Sequence, residues 1–199
     1  MKTALLVGGV LALVAFFKRN TISNLLSDKN QIKTSTGNME YLGSFYDFKI
    51  KSLDNKDLDL SQYRGKKVVL VNVASKCGFT PQYADWEKFH ETYGDKIVVI
   101  GIPANNFMSQ EPGSNSDIAE FCQKNYGVNF QMTEKVEVIG EKQHPLYQWL
   151  SKKNQNGWND QAPTWNFCKY VINEDGKVTH FFASKILPSS DEFKKAVGI

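Results

Sequence analysis

Three cysteines, three histidines and six prolines are all that these 199 residues contain. The cysteines, Cys77, Cys122 and Cys168, are odd in number, and no two share C-x-x-C spacing. That spacing excludes a disulfide framework and a zinc site built on paired thiolates. His90, His144 and His180 are scattered without ligand spacing, so no metal is expected. A basic stripe is missing too. The formal net charge is +3, and Lys2, Lys18 and Arg19 account for all of it. Nucleic acid is therefore not an expected partner. There is no internal repeat and no low-complexity tract.

Long apolar runs are absent, with one exception. Residues 4–17 are unbroken apolar sequence, with Lys2 before them and Lys18-Arg19 after. The run falls short of the roughly 20 residues of a comfortable bilayer span. No A-x-A-like cleavage site follows it, Leu13-Val14-Ala15 being the nearest approach. Residues 1–19 are expected to form a signal or membrane-anchor segment, which makes the protein membrane-anchored or exported. Charge is balanced on the two flanks, so orientation stays open. Residues 20–42 are polar and rich in Ser, Thr and Asn, and read as a linker. Residues 43–199 make one domain, long enough for a core of its own.

That domain carries a clear order of elements. Residues 45–53 alternate, Asp54-Asn55 turns, and residues 57–60 return, which predicts a hairpin. Residues 68–74 (Val-Val-Leu-Val-Asn-Val-Ala) are the near-continuous run of a strand buried on both faces. A helix is predicted over 81–93, with Thr80 as its N-cap, Pro81 at its first position and Tyr83, Trp86, Phe89 and Tyr93 on one face. Residues 96–103 give the next strand, completing a βαβ unit. After a loop over 104–115, Ser114 and Asp117 form a capping box for a helix near 116–126. A short strand over 135–138, a helix over 144–153, strands over 167–172 and 177–183 around Asn173-Glu-Asp-Gly176, and a last helix over 190–197 follow. The order predicts an α/β domain of thioredoxin-like fold with an added N-terminal β-hairpin.

Cys77 stands where the 68–74 strand gives way to a helix. A cysteine there meets free N–H groups and positive partial charge, which favour the nucleophilic thiolate. A buried structural cysteine is the alternative that placement alone leaves open.

Three segments carry a resemblance. They are Asn72-Val-Ala-Ser-Lys-Cys-Gly-Phe-Thr-Pro-Gln-Tyr83, Gly101-Ile-Pro-Ala-Asn-Asn-Phe-Met-Ser-Gln-Glu-Pro-Gly113, and Thr164-Trp-Asn-Phe-Cys-Lys-Tyr-Val171. In that order and at those separations the chain resembles the glutathione peroxidase family over roughly 43–197. The resemblance implies a thiol-dependent peroxidase without a cofactor, acting on hydrogen peroxide and organic or lipid hydroperoxides. Cys77 matches the family's reactive position, and Gln110, Trp165 and Asn166 match its catalytic partners. An amide, an indole N–H and a second amide are neutral donors, suited to hold a thiolate and a departing oxygen without quenching either. The product on sulfur would be a sulfenic acid, reduced by thioredoxin or glutathione.

The chain departs from the pattern in places. Residues 102–108 read Ile-Pro-Ala-Asn-Asn-Phe-Met, where the family often has Phe-Pro-Cys-Asn-Gln-Phe-Gly, so Met108 replaces a usual glycine. Thioredoxin-using members carry a resolving cysteine on the helix after Gln-Glu-Pro-Gly. Cys122 lies on that helix, about one residue before the usual position, where Gln123 stands. A one-residue offset turns a helical side chain by about 100°. Cys168 takes a position commonly held by threonine. In a regular strand over 165–170 it would share a face with Asn166 and approach Cys77. Cys122 and Cys168 are thus both candidate resolving residues; the alternatives are that Cys122 is simply buried and, the favoured reading for Cys168, that it packs as a small hydrophobe. The short stretch between Leu150 and Trp165 resembles the monomeric members. A thioredoxin-type disulfide reductase is excluded by Thr80, which occupies the second cysteine's place. The remaining alternative is a non-catalytic thioredoxin-fold binding module or redox sensor.

Overall fold

The structure, a computed structural model, describes residues 32–35 and 42–199. Strand β1 (Ile32–Thr34) is followed by a short hairpin of β2 (Lys49–Lys51) and β3 (Asp57–Asp59). Then come β4 (Lys67–Val73), α1 (Gln82–Tyr93), β5 (Ile97–Pro103), α2 (Asn115–Tyr126) and β6 (Gln131–Met132). The chain ends with α3 (Pro145–Ser151), α4 (Lys153–Asn156), β7 (Lys169–Ile172), β8 (Val178–Phe182) and α5 (Asp191–Val197). The main sheet runs β1-β8-β7-β4-β5-β6, and β2-β3 is a separate two-stranded sheet. β4 pairs parallel with β5 and antiparallel with β7, which is the thioredoxin-like arrangement.

β4 sits at the centre because almost every residue of it is apolar and buried. Alternation along it builds two cores. Val68 and Leu70 face one, with Phe45, Tyr147, Trp149, Tyr170 and Phe181. Val69, Val71 and Val73 face the other, with Tyr83 and Trp86 from α1, Ile118 from α2 and Phe193 from α5. Gly176 closes the β7–β8 turn at φ 79, a left-handed conformation that a Cβ would obstruct against Tyr46.

Several expectations are corrected. The alternating stretch 45–53 is a strand only at Lys49–Lys51. Ser44 and Asp47 form a capping box that folds Phe45–Asp47 into a 3-10 turn first. No strand forms over 135–138; Val136 N–H gives one bond to the Pro103 carbonyl where the chain crosses the end of β5. Part of the expected linker is ordered: Ile32–Thr34 pairs antiparallel with β8.

The expectation of a membrane-anchored or exported protein is corrected as well. Among the described residues no helix is long and apolar enough to cross a membrane. The longest, α1 and α2, have 12 residues each and span about 18 Å, short of a roughly 30 Å hydrocarbon core. The segment assigned to residues 1–19 lies outside the described residues.

The two cores make a prediction about alkaline stability. Burial pushes the Tyr83, Tyr147 and Tyr170 hydroxyls well above the usual range and the Cys122 thiol up to about 11. Above about pH 9 the unfolded chain releases protons that the folded chain still holds, so stability falls as pH rises. Thermal melts followed by circular dichroism should show Tm several degrees lower at about pH 10.5 than at about pH 8. Equal melting temperatures would contradict this.

Candidate active site

Cys77 lies in the turn between β4 and α1 and is 8 % exposed, so a small oxidant can reach it while bulk water is largely kept away. A closed loop of hydrogen bonds fixes the turn. Cys77 N–H donates to Thr80 Oγ1 at 2.9 Å, and that hydroxyl donates on to the Ala74 carbonyl at 2.7 Å. Phe79 N–H points at Cys77 Sγ at 3.3 Å, a donor placed to stabilise a sulfur anion. Thr80 therefore differs from its expected role. α1 starts at Gln82, Pro81 holds the N-cap position in helical conformation, and no side chain caps the helix. The Thr80 hydroxyl is spent inside the Cys77 turn instead.

Gln110 reaches this turn through the backbone. Its carbonyl accepts from Lys76 N–H at 2.9 Å, stapling the 104–110 loop beside Cys77. Met108 and Ser109 both hold φ 52 in that loop, so the methionine that replaces a usual glycine sits in left-handed backbone, 78 % exposed. Asn166 is fully buried and donates from Nδ2 to Gln110 Oε1 at 2.9 Å. With its oxygen occupied, the Gln110 amide keeps its NH₂ as the donor it can offer a ligand. Trp165 packs against both cores and rests on Phe107, ring centroids 5.6 Å apart. Cys77, Gln110, Trp165 and Asn166 are thus drawn to one end of the central sheet from three separate segments.

The other two cysteines are placed differently from one another. All three are free. Cys122 lies on α2, buried in the same core as Cys77. Burial pushes its thiol up to about 11; the neighbouring Tyr83 hydroxyl works against that rise, and Glu111 adds to it. Its helix also borders a cleft of about 640 Å³ lined by Leu53, Ser116, Cys122, Gln123, Phe130 and Met132. Cys168 is buried in the opposite core from Cys77, its Sγ 3.6 Å from Thr164 Oγ1 and 3.7 Å from Ser184 Oγ. Cys168 packs as a small hydrophobe in that core and does not share the core of Cys77. Cys168 keeps the face of Tyr170 and Ile172 along β7, and Phe167 at φ 64 breaks that period for the residues before it.

Sequence reasoning missed four residues around the site. Thr80, whose place before Pro81 predicts a helix cap, closes the Cys77 turn. Glu111 is 1 % exposed behind Gln110, and burial pushes its carboxyl up from the usual range. Lys169 is fully buried at the start of β7. Asn72 is the one polar side chain in the apolar run of β4, and a buried amide must find partners. That break in the run is the signal that could have found it.

The glutathione peroxidase family model matches residues 45–151. A glutathione peroxidase of Lactococcus lactis subsp. cremoris is 46% identical over 155 residues, covering 76% of this chain and 98% of that protein. A glutathione peroxidase-like peroxiredoxin 2 of Saccharomyces cerevisiae is 43% identical, covering 74% of this chain and 91% of that protein. Among solved structures, one described as Trgpx in apo form superposes with a TM-score of 0.59 at 38% identity, covering 79% of this chain and 97% of that one.

Proposed function

The chain belongs to the glutathione peroxidase family and is a thiol-dependent peroxidase, and from that premise we propose that Cys77 is its peroxidatic residue. The observation that carries this is the Phe79 N–H aimed at Cys77 Sγ at 3.3 Å, inside a turn that Thr80 holds closed. The thiolate attacks one peroxide oxygen. An S–O bond forms as the O–O bond breaks, and the second oxygen leaves as hydroxide or alkoxide and takes a proton. The sulfur is oxidised to a sulfenic acid, and the peroxide is reduced to water, or to an alcohol and water once the sulfenic acid is in turn reduced. The Gln110 amide, the Trp165 indole and Asn166 are the neutral donors for the charge that shifts from sulfur to oxygen. Hydrogen peroxide and organic or lipid hydroperoxides are the substrate class, and the short α3–α4 connection to Trp165 supports a monomer. A non-catalytic binding module or redox sensor is not favoured.

Cys122 is the residue we assign to resolve the sulfenic acid, with thioredoxin as the reductant of the disulfide. It shares a core with Cys77 and its helix borders an open cleft, whereas Cys168 does neither. Its S–H adds to the sulfenic sulfur, an S–S bond forms, and water leaves. A thiol held up to about 11 attacks slowly while buried, so disulfide formation is expected to be slower than peroxide reduction. The test is non-reducing peptide mapping after one equivalent of peroxide, with a Cys77–Cys122 disulfide as the expected product. Cys122→Ser should lower thioredoxin-driven turnover by about ten-fold or more. A Cys77–Cys168 disulfide, or no disulfide with turnover supported by glutathione, sinks the two-cysteine reading.

A further inference from the structure

We infer that Asn72 is a positioning residue of the peroxidatic site, whose side-chain amide holds the kink that turns Trp165 and Asn166 toward Gln110. The inference rests on the reading of Cys77, Gln110, Trp165 and Asn166 as one site. Asn72 is fully buried near the end of β4, in a run that is otherwise apolar. Its Nδ2 donates to the Trp165 carbonyl at 2.9 Å, and its Oδ1 accepts from Cys168 N–H at 3.1 Å. Its main chain is engaged with the same segment. Asn72 N–H donates to the Cys168 carbonyl at 3.2 Å, and Phe167 N–H donates to the Asn72 carbonyl at 2.5 Å.

The regular β4–β7 ladder ends one step earlier, at the Val71–Lys169 pair. Beyond it Phe167 adopts φ 64, which a bulky residue avoids at a cost of about 1–3 kcal/mol. The kink takes the Trp165 carbonyl and Cys168 N–H out of sheet pairing, and the Asn72 amide bonds to both. No hydrophobic residue of similar size could do so, because one group accepts and the other donates. The kink also redirects the residues that precede it, while Cys168 keeps the face of Tyr170 and Ile172. Cys168 enters the first core, and Asn166 reaches Gln110 Oε1. Asn72 thus sets the direction of two donors without being one itself.

Asn72→Asp is the discriminating variant. It keeps the shape and the acceptor for Cys168 N–H, but it sets a carboxylate oxygen against the Trp165 carbonyl. Asn72→Ser is the second variant, able to make one of the two bonds. Cys77 oxidation by hydrogen peroxide is followed by rapid quench and sulfenic-acid trapping. Asn72→Asp should slow that step by about ten-fold and move its pH profile to the alkaline side, with Asn72→Ser between it and the wild type. In an Asn166→Ala, Trp165→Phe background the same substitution should cost less than about two-fold, because the groups it positions are gone. Variants that melt earlier yet oxidise at the wild-type rate and pH profile overturn the inference, leaving Asn72 merely structural. So do effects that multiply fully in the combined background. If the Asn166→Ala, Trp165→Phe protein itself oxidises at the wild-type rate, the site assignment fails, and the role of Asn72 fails with it.

Discussion

Cys77→Ser should lower peroxide reduction by at least about a thousand-fold, with either thioredoxin or glutathione as donor. Serine fits the turn: the Thr80 hydroxyl still closes it, and Phe79 N–H meets an oxygen in place of sulfur. The fold should therefore survive, with Tm within a few degrees of the wild type. What is lost is chemical. A hydroxyl is not ionised at neutral pH, and oxygen has no sulfenic state to pass on. The neighbouring thiols do not substitute. Cys122 is held protonated up to about 11, and Cys168 is sealed in the other core. The measurement is peroxide consumption under saturating reductant beside a thermal melt. Variant and wild-type rates that agree, with both proteins folded, would remove Cys77 from the mechanism.

Lys169→Met should cost about 3 kcal/mol of stability, lowering Tm by about 6–12 °C. The ammonium is fully buried and donates to Gln82 Oε1 at 3.1 Å, to the Ser184 carbonyl at 2.9 Å and to the Ile186 carbonyl at 2.5 Å. It also lies 5.9 Å from the Trp86 ring centroid. Methionine keeps the length of the stem but leaves Gln82 Oε1 and the Ile186 carbonyl without that donor, while the Ser184 carbonyl keeps the Gln82 Nε2 bond at 2.7 Å. An orphaned buried acceptor costs about 1–3 kcal/mol. Removing the ammonium also removes its own desolvation cost, so the net loss is smaller than the most that two orphans could cost. Gln82 opens α1 directly after the Cys77 turn, so this cation ties that turn to the loop after β8. Urea denaturation monitored by fluorescence measures the effect, and a loss under about 1 kcal/mol would show that the acceptors find other partners.

Local pattern accounts for most of what could be read in advance. The buried run of β4, the Ser114–Asp117 capping box and the Asn173–Gly176 turn each depend on neighbours within a few residues, and each formed where expected. The hairpin forms but is shorter than the alternation over 45–53 predicts, because the Ser44–Asp47 box competes locally with strand pairing. Thr80 shows the limit of such reasoning. A threonine before proline satisfies the pattern of a helix cap, yet its hydroxyl has a better use across the turn, from Cys77 N–H to the Ala74 carbonyl.

By itself the sequence determined the α/β order and the buried central strand with Cys77 at its end, and it pointed to Gln110, Trp165 and Asn166 as candidate companions through three motifs in register. Only the tertiary structure decided which other cysteine is buried in the core that holds Cys77: Cys122 is, and Cys168 is not. Strand alternation keeps Cys168 on the face of Tyr170 and Ile172, and the left-handed Phe167 breaks that period for Trp165 and Asn166 before it. That kink holds because Asn72, some 90 residues earlier in the chain, meets its freed carbonyl and N–H. A side chain's local period is written in its neighbours. The partner that makes a departure from that period affordable lies on another strand, and only folding brings it near.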